Sequence, residues 1–414
     1  MFIVVGVIVF SMYRGSQGQI SNVVVWGTIE QTDFSQILTL TGLSQSKEYT
    51  VQYIKKNEET FDSDLVEAIA SGEGPDVFFL PSDKILKNVN KTFVVPYDVF
   101  TERNFKDSFI EGAEVFMTPE GVVAMPFAVD PLVMYWNRGI FNEAKITLPP
   151  KYWDQFFNLA SVISIKDGSL NILRSAVALG EFSNISHAKE IISTLAMQAG
   201  TPITYWSNGK PASSFSDRLN KPTIPAEAAI NFYTEFSNPA KTSYSWNRSL
   251  VSSLNYFLGG DLGIYFGFAS EIASIQSRNP NLNFDVAAVP LSREGDNDSV
   301  FGRFYGLAIT KTSKNPNAAF GVISILTSTE GSKAFAQVLR LPPVRRDLLG
   351  ERPTGAYLSV FYDSAIRARG WLDPDKVETN TIFRNMIESV TSGRSRVGEA
   401  VARASREISN LLQK

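Results

Sequence analysis

Cysteine is absent from the 414-residue chain, and histidine occurs once, at His187. Disulfides, thiolate nucleophiles, iron–sulfur clusters and Cys/His zinc sites are thereby excluded. A metal could be held only through carboxylates, and none is expected; nor is a cofactor. A Ser-His-Asp triad would have to use His187. The segment Ser186-His187-Ala188-Lys189-Glu190 reads instead as the first turn of an amphipathic helix, with the imidazole in solvent. A surplus of one charge is missing too. Lys plus Arg number 39 and Asp plus Glu 42, a net charge of −3, which argues against nucleic acid as a partner. Phosphate-binding loops of the Gly-x-x-x-x-Gly-Lys-Ser/Thr and Gly-x-Gly-x-x-Gly types are also absent. Asp296-Asn297-Asp298 lacks the later ligands of a calcium loop and reads as a polar turn between strands.

What is present is an ordinary globular composition, 44% hydrophobic and 20% charged, too apolar for a disordered chain. The length fits two or three domains, or two large lobes. One long hydrophobic run occurs, Met1 to Tyr13, broken only by Ser11. It is shorter than the roughly 20 residues of a membrane span and fits a secretory core of about 7–15 residues. Residues 1–13 are therefore expected to be a signal segment or part of an anchor. Residues 14–22 follow as a tether, and the remainder is exported.

Beyond the tether, short apolar runs alternate with helical spacings. Val23 to Trp26 reads as a buried parallel strand, Phe34 to Leu43 as a helix, and Tyr49 to Ile54 as a strand. Phe61 to Ala70 has helical spacing, and Asp76 to Leu80 is a third strand. This alternation indicates an α/β domain, in which ligands bind beyond the carboxyl ends of the strands. Gly121 to Phe127 and Leu132 to Trp136 read as two strands with a short join, as though the chain left one sheet for another. Thr201 to Pro225 reads as a surface loop, and Val397 to Leu412 as a helix with one apolar stripe.

Six stretches, in this order, resemble the extracellular solute-binding proteins of ABC importers, family 1, the maltose/oligosaccharide-binding type. They are Val24-Val25-Trp26-Gly27; Glu67 to Val77, with its Gly72-Glu73-Gly74-Pro75-Asp76 turn; and Ala124 to Asp130 leading into Tyr135-Trp136-Asn137. Phe257 to Asp261 through Phe266-Gly267-Phe268, Tyr305 to Ile309, and Thr391-Ser392-Gly393-Arg394 complete the set. The resemblance implies a periplasmic-binding-protein-like α/β fold of two lobes joined by three crossings, with a ligand cleft between them. Carried over, the crossings fall near Phe127–Leu132, Leu262–Phe266 and Ile309–Ser313. Lobe one is then 21–128 plus 266–309, and lobe two 132–262 plus 313–414.

The same resemblance implies a set of ligand-binding residues. Glu30 matches a ligand-contacting acid, with Gln31 where a lysine would stand. Asp83 and Lys84 match an acid–base pair that bonds sugar hydroxyls, although Leu80 replaces the aromatic just upstream. Asp130 matches an acid at the first crossing, Phe268 a stacking tryptophan, and Arg384 a cleft arginine. Asn380 replaces the aromatic four residues before that arginine. Trp371, Phe304, Tyr305 and Trp246 are the aromatics placed to compensate.

The expected function is non-catalytic capture of a solute, a sugar, outside the cell and its delivery to ABC permease subunits by a monomer associated with the membrane through its N-terminus. Two alternatives stand beside it. One is a glycan hydrolase using paired carboxylates drawn from Glu30, Asp83 and Asp130. The other is a sensor or adhesion module of the same fold.

Overall fold

The computed structural model describes residues 20–293, 297–351 and 353–413. The apolar run 1–13, most of the tether and Asp296 of the expected polar turn lie outside the described residues. The chain opens with β1 (Ser21–Gly27), α1 (Gln31–Leu40), β2 (Tyr49–Lys55), α2 (Phe61–Ser71) and β3 (Val77–Pro81). β1 pairs in parallel with both β2 and β3. Its last residue must be small, because a Cβ on Gly27 would lie 2.8 Å from the Tyr53 ring. Phe34 and Ile37, one helical turn apart, turn inward from α1, as Phe61 and Leu65 do from α2.

The two strands expected on either side of residue 130 are one strand, β4 (Met125–Asn137), buried along its whole length. Two prolines inside a central strand ought to break it, since neither can donate to the ladder. Pro126 lies beside an irregularity in the pairing, where Tyr305 faces Ala128 but Gly306 faces Pro126. Pro131 sits where β4 changes partners. Farther along come β5 (Ile172–Val177), α3 (Ala188–Ala199), β6 (Leu262–Phe268), β7 (Phe284–Ala287) and β8 (Val300–Thr310). Met125 to Pro131 of β4 pair with β8, and Leu132 to Trp136 with β6. The strands run in the order β2-β1-β3-β8-β4-β6-β5, so β4 belongs to both lobes.

β6 pairs with β5 and with the second half of β4, and β7 pairs with Met134 to Asn137 of β4, while β8 pairs with Met125 to Pro131. The helices α4 (Pro316–Leu326) and α5 (Thr329–Leu339) pack on β1, β2 and α1, not on the second lobe. The last helices, α6 (Lys376–Thr391) and α7 (Val397–Leu412), do pack in the second lobe, against α3 and the helix Pro225–Glu235. α7 buries Ala400, Val401, Ala404 and Ile408, members of its expected stripe.

The expected loop 201–225 contains a hairpin, Thr204–Ser207 paired with Lys210–Ser213. Its turn, Asn208-Gly209, has positive φ at both residues, the signature of a two-residue hairpin turn.

A buried pair fixes the segment that leads into α6. Lys189 Nζ on α3 lies 2.7 Å from Asp373 Oδ2 and donates to Thr379 Oγ1 at 3.1 Å. Burial pushes the Asp373 carboxyl up in pKa against the opposing pull of Lys189. Removing one partner strands the other charge in the interior. Asp373→Ala is therefore expected to cost about 3–5 kcal/mol, read as a lowered urea midpoint. The double variant Lys189→Met/Asp373→Leu should recover most of that loss.

Candidate functional site

β3 ends at Pro81 and runs into the turn Ser82–Lys84, while β4 and β8 bring Asp130 and Arg303 opposite one another in register. These ends surround a cavity of about 260 Å³. One wall is aromatic. Phe79 and Phe127 pack with ring centroids 4.9 Å apart, and Tyr305 lies 6.2 Å beyond Phe127. Ile29, Leu80, Leu339 and Leu341 extend the apolar lining, and Asp83, Lys84, Asp130, Ser270 and Arg303 supply the polar groups.

Arg303 is the centre of the polar side. A guanidinium cannot shed its proton, so burial obliges it to find anions. Its Nε lies 3.2 Å from Asp83 Oδ2, and its Nη2 lies 4.0 Å from Glu190 Oε1 on α3. Burial disfavours the charge most strongly, but Asp83, Tyr305 and Glu190 together outweigh it and the Arg303 pKa is raised. Asp83 also takes Lys376 Nζ at 3.0 Å. Burial opposes ionisation there too, yet Arg303 and Lys376 hold the carboxyl below its ordinary value. Asp83 is 8% exposed, and its Oδ1 has no hydrogen-bond partner. Asp83 thus lines the cavity with one carboxylate oxygen that is buried and lacks a hydrogen-bond partner.

Asp130 is a different kind of acid. Ser270 donates its backbone N–H to Oδ1 at 3.0 Å and its hydroxyl to Oδ2 at 2.6 Å. Burial nonetheless pushes the pKa up to about 6. Lys84 does not pair with Asp83; its Nζ lies 3.3 Å from Asp62 on α2.

The other expected site residues are not brought to the cavity. Glu30 is exposed and sits 2.5 Å from Lys55 Nζ, although its neighbour Ile29 lines the wall. Phe268 has no face to offer a ligand, with Arg303 Cζ 4.7 Å above its ring and His187 at 4.9 Å, edge-on. Trp246 has no exposed surface, and its Nε1 donates to Asn184. Trp371 is equally internal; it donates to Ser193 Oγ and stacks on Phe383. Phe304 is fully buried in β8. Arg384 lies on α6 away from the cavity, with its Nε buried and unpartnered. The tryptophans were placed by loop position, whereas their large apolar area is spent in the second lobe's core.

His187 also differs from expectation. It precedes α3 in the left-handed region, φ 58°, with Nε2 2.7 Å from Glu271 Oε1. Burial lowers the imidazolium pKa, but Glu271 outweighs burial and the net shift is upward. Tyr265 donates its hydroxyl to the other Glu271 oxygen at 2.7 Å. The imidazole thus braces the end of β6 while half-buried, its Nε2 held by Glu271 and not free in solvent.

Arg303, Ser270 and Lys376 were not singled out from the sequence. Arg303 carried a signal: it is the one charged residue in Val300 to Thr310, and a lone cation in a buried strand requires partners.

The raised Asp130 pKa has a definite sign. Above pH 6 the folded protein holds Asp130 ionised at a cost; from there down to the unfolded value, near 3.8, only the folded state gains the proton. Asp130 thus lowers stability at neutral pH, by up to about 3 kcal/mol, and the penalty fades as pH falls through 6 toward 4. Asp130→Asn should raise the melting temperature at pH 8, with the gain vanishing near pH 4. Thermal unfolding of both proteins across that range is the check; a gain that grows on acidification would contradict the assignment.

The sequence pattern of the bacterial extracellular solute-binding proteins matches residues 43–352. A chain of Brucella abortus, named only as a binding protein, is 24% identical over 296 residues, which is 68% of this chain and 66% of that one. The chain therefore spans just under two thirds of that curated relative's length. A cyclo/maltodextrin-binding protein complexed with maltotetraose superposes with TM-score 0.77 at 16% identity, over 97% of this chain and 99% of that one. An ABC transporter solute-binding protein of Thermotoga lettingae bound with α-D-tagatose superposes with TM-score 0.66 at 16% identity, over 95% and 100%. With a matched span of that extent and the two-lobed α/β fold behind it, the chain belongs to the family of bacterial extracellular solute-binding proteins.

Proposed function

We propose that the protein captures a neutral carbohydrate at the cavity beside Asp83 and passes it, chemically unaltered, to an ABC permease. The observation that carries this reading is one cavity in which the aromatic wall of Phe79, Phe127 and Tyr305 meets the carboxylates Asp83 and Asp130. Sugars present apolar ring faces together with hydroxyl donors, and this pairing of surfaces suits both. Charge argues for neutrality. Asp83 is matched by Arg303 and Lys376, Asp62 by Lys84 and Lys87, and Asp130 is satisfied by Ser270. A ligand charge set against these groups would have to break one of the pairs and leave a buried charge behind, although the exposed Glu58, also in the lining, pairs with no cation among the described residues. Tyr305, half-buried at the end of the aromatic wall, is the ring best placed to stack on a sugar. Oligosaccharide and monosaccharide ligands in proteins of the same fold support the assignment.

Capture and release follow from two lobes joined through shared strands, since hinge bending about a few residues opens and closes such a cleft. Ligand favours the closed form only to the extent that it binds that form more tightly. Export, a monomeric state and retention at the membrane through residues 1–13 complete the reading.

A hydrolase would need a protonated acid reaching the glycosidic oxygen. Asp130, with its raised pKa, is the residue that favours that alternative, but both its oxygens already accept from Ser270. A calorimetric screen of sugars is expected to give binding, with recovered sugar identical to that supplied after prolonged incubation. Asp83→Ala should weaken binding by at least about tenfold, a hydrogen bond to a charged group being worth about 1.5–3 kcal/mol. Unchanged affinity in a folded Asp83→Ala protein would refute the site, and released product would refute the non-catalytic role.

A further inference from the structure

The two lobes meet through charge as well as through the shared strand β4. Asp83 and Lys87 stand four positions apart, in the turn and the short helix Ile85–Asn88 that follow β3. Facing them are two consecutive residues, Asp375 and Lys376, at the start of α6, which packs on α7, α3 and the helix Pro225–Glu235. Lys376 Nζ lies 3.0 Å from Asp83 Oδ2, and Lys87 Nζ lies 3.6 Å from Asp375 Oδ2. The two pairs run in opposite senses, acid to base and base to acid. Sliding one lobe along the other would set Asp375 against Asp83, or Lys376 against Lys87, and like charges in contact repel. Both sides are held in place. Arg303 meets Asp83 at 3.2 Å, and Asp62 meets Lys87 at 3.5 Å. Across the gap, Asp375 accepts from the backbone N–H groups of Val377 and Glu378, Asp373 pairs with Lys189, and Trp371 donates to Ser193 Oγ. Each face therefore presents its charges from a fixed support.

We infer that the pairs Asp83–Lys376 and Lys87–Asp375 form a clasp that holds the lobes in the arrangement of this structure when no ligand is bound. The clasp does not depend on which solute is captured. Lys87, Asp375 and Lys376 are each partly exposed, and pairs of that kind shift an equilibrium about two- to fivefold each. Acting together, the two shift it roughly tenfold. A ligand whose contacts are complete only in this arrangement then binds more tightly in proportion to the fraction of molecules already in it. The clasp thus acts on affinity without touching the ligand. It is also the part of the lobe contact most open to screening, because partly exposed pairs weaken as salt rises. The hydrogen bonds from Ser270 to the buried Asp130, where β4 changes partners, are sheltered from that effect.

The chain has no cysteine, so two introduced cysteines are its sole labelling sites. Gln36→Cys on α1 and Asn231→Cys on the helix Pro225–Glu235, both exposed, report the separation of the lobes by single-molecule energy transfer. The full chain is measured without ligand. In dilute buffer one narrow distribution is expected. Lys87→Gln/Lys376→Gln should add a second population at a different separation, its ratio to the first raised about tenfold over the parent. Raising NaCl to about 1 M, where the Debye length falls to about 3 Å, should do the same in the parent and little in that variant. Asp375→Asn separates charge from capping, because asparagine caps a helix as well as aspartate does. It should raise the ratio by about two- to fivefold while a melting curve shows the fold intact. Arg103→Gln removes a cation that pairs with Asp107 elsewhere on the surface and should change nothing. A broad distribution in the parent at low salt overturns the inference. So does a distribution that neither the clasp variants nor salt alter, or one that Arg103→Gln alters as much as they do. None of these outcomes bears on the carbohydrate reading, which is tested by the binding of sugars.

Discussion

A permanently charged guanidinium in a buried strand imposes its own surroundings. Arg303 cannot neutralise itself, so the fold has to bring carboxylates to it, and it does so from two elements far apart in sequence: Asp83 after β3 and Glu190 on α3. Satisfying that one group ties the end of a first-lobe strand to a second-lobe helix. It also holds Asp83 ionised beside the cavity. The same guanidinium covers Phe268 and so removes the ring the family resemblance would have used for stacking.

The strand β4 distributes this arrangement over both lobes. Its first half pairs with β8 and its second with β6, so Asp130, beside the change of partner, is close to both. Ser270, which follows β6, holds the Asp130 carboxylate from the other lobe. Burying that carboxylate without a close cation costs stability, and such costs concentrate where a protein has a function to serve. On the far side, His187, Glu271 and Tyr265 form a second, partly buried polar set that braces the end of β6. The region where β4 changes partners is thus specified by hydrogen bonds and charge as well as by packing.

The parts of the fold that could be read from sequence are those with strong local periodicity. The opening β-α-β-α-β order and the final helix follow from apolar spacing and glycine stops, and the structure contains them at nearly the expected residues. The hairpin at 204–213 was readable but was passed over as loop, although Asn208-Gly209 carried its signal. Asp83, Lys84, Asp130 and Tyr305 were reached through ordered resemblance, and they line one cavity. Glu30, Phe268, Trp246, Trp371 and Arg384 do not, because position near a strand end or in a loop says nothing about which way a side chain turns. A large aromatic has more to gain from a core than from a cleft.

What the sequence determined alone was a set of exclusions and a class. Without cysteine, and with one histidine and a near-neutral charge, most cofactor and metal chemistry has no ligands, and alternating apolar periods admit an α/β fold and few others. Which lobe each helix joins, and that Arg303, Lys376 and Ser270 converge on two acids, were decided by tertiary structure. Those contacts join residues as much as 293 positions apart, as Asp83 and Lys376 are. Local periodicity constrains only neighbours within a turn or two, whereas the pairing of buried charges is settled by whatever the packed sheet brings within reach.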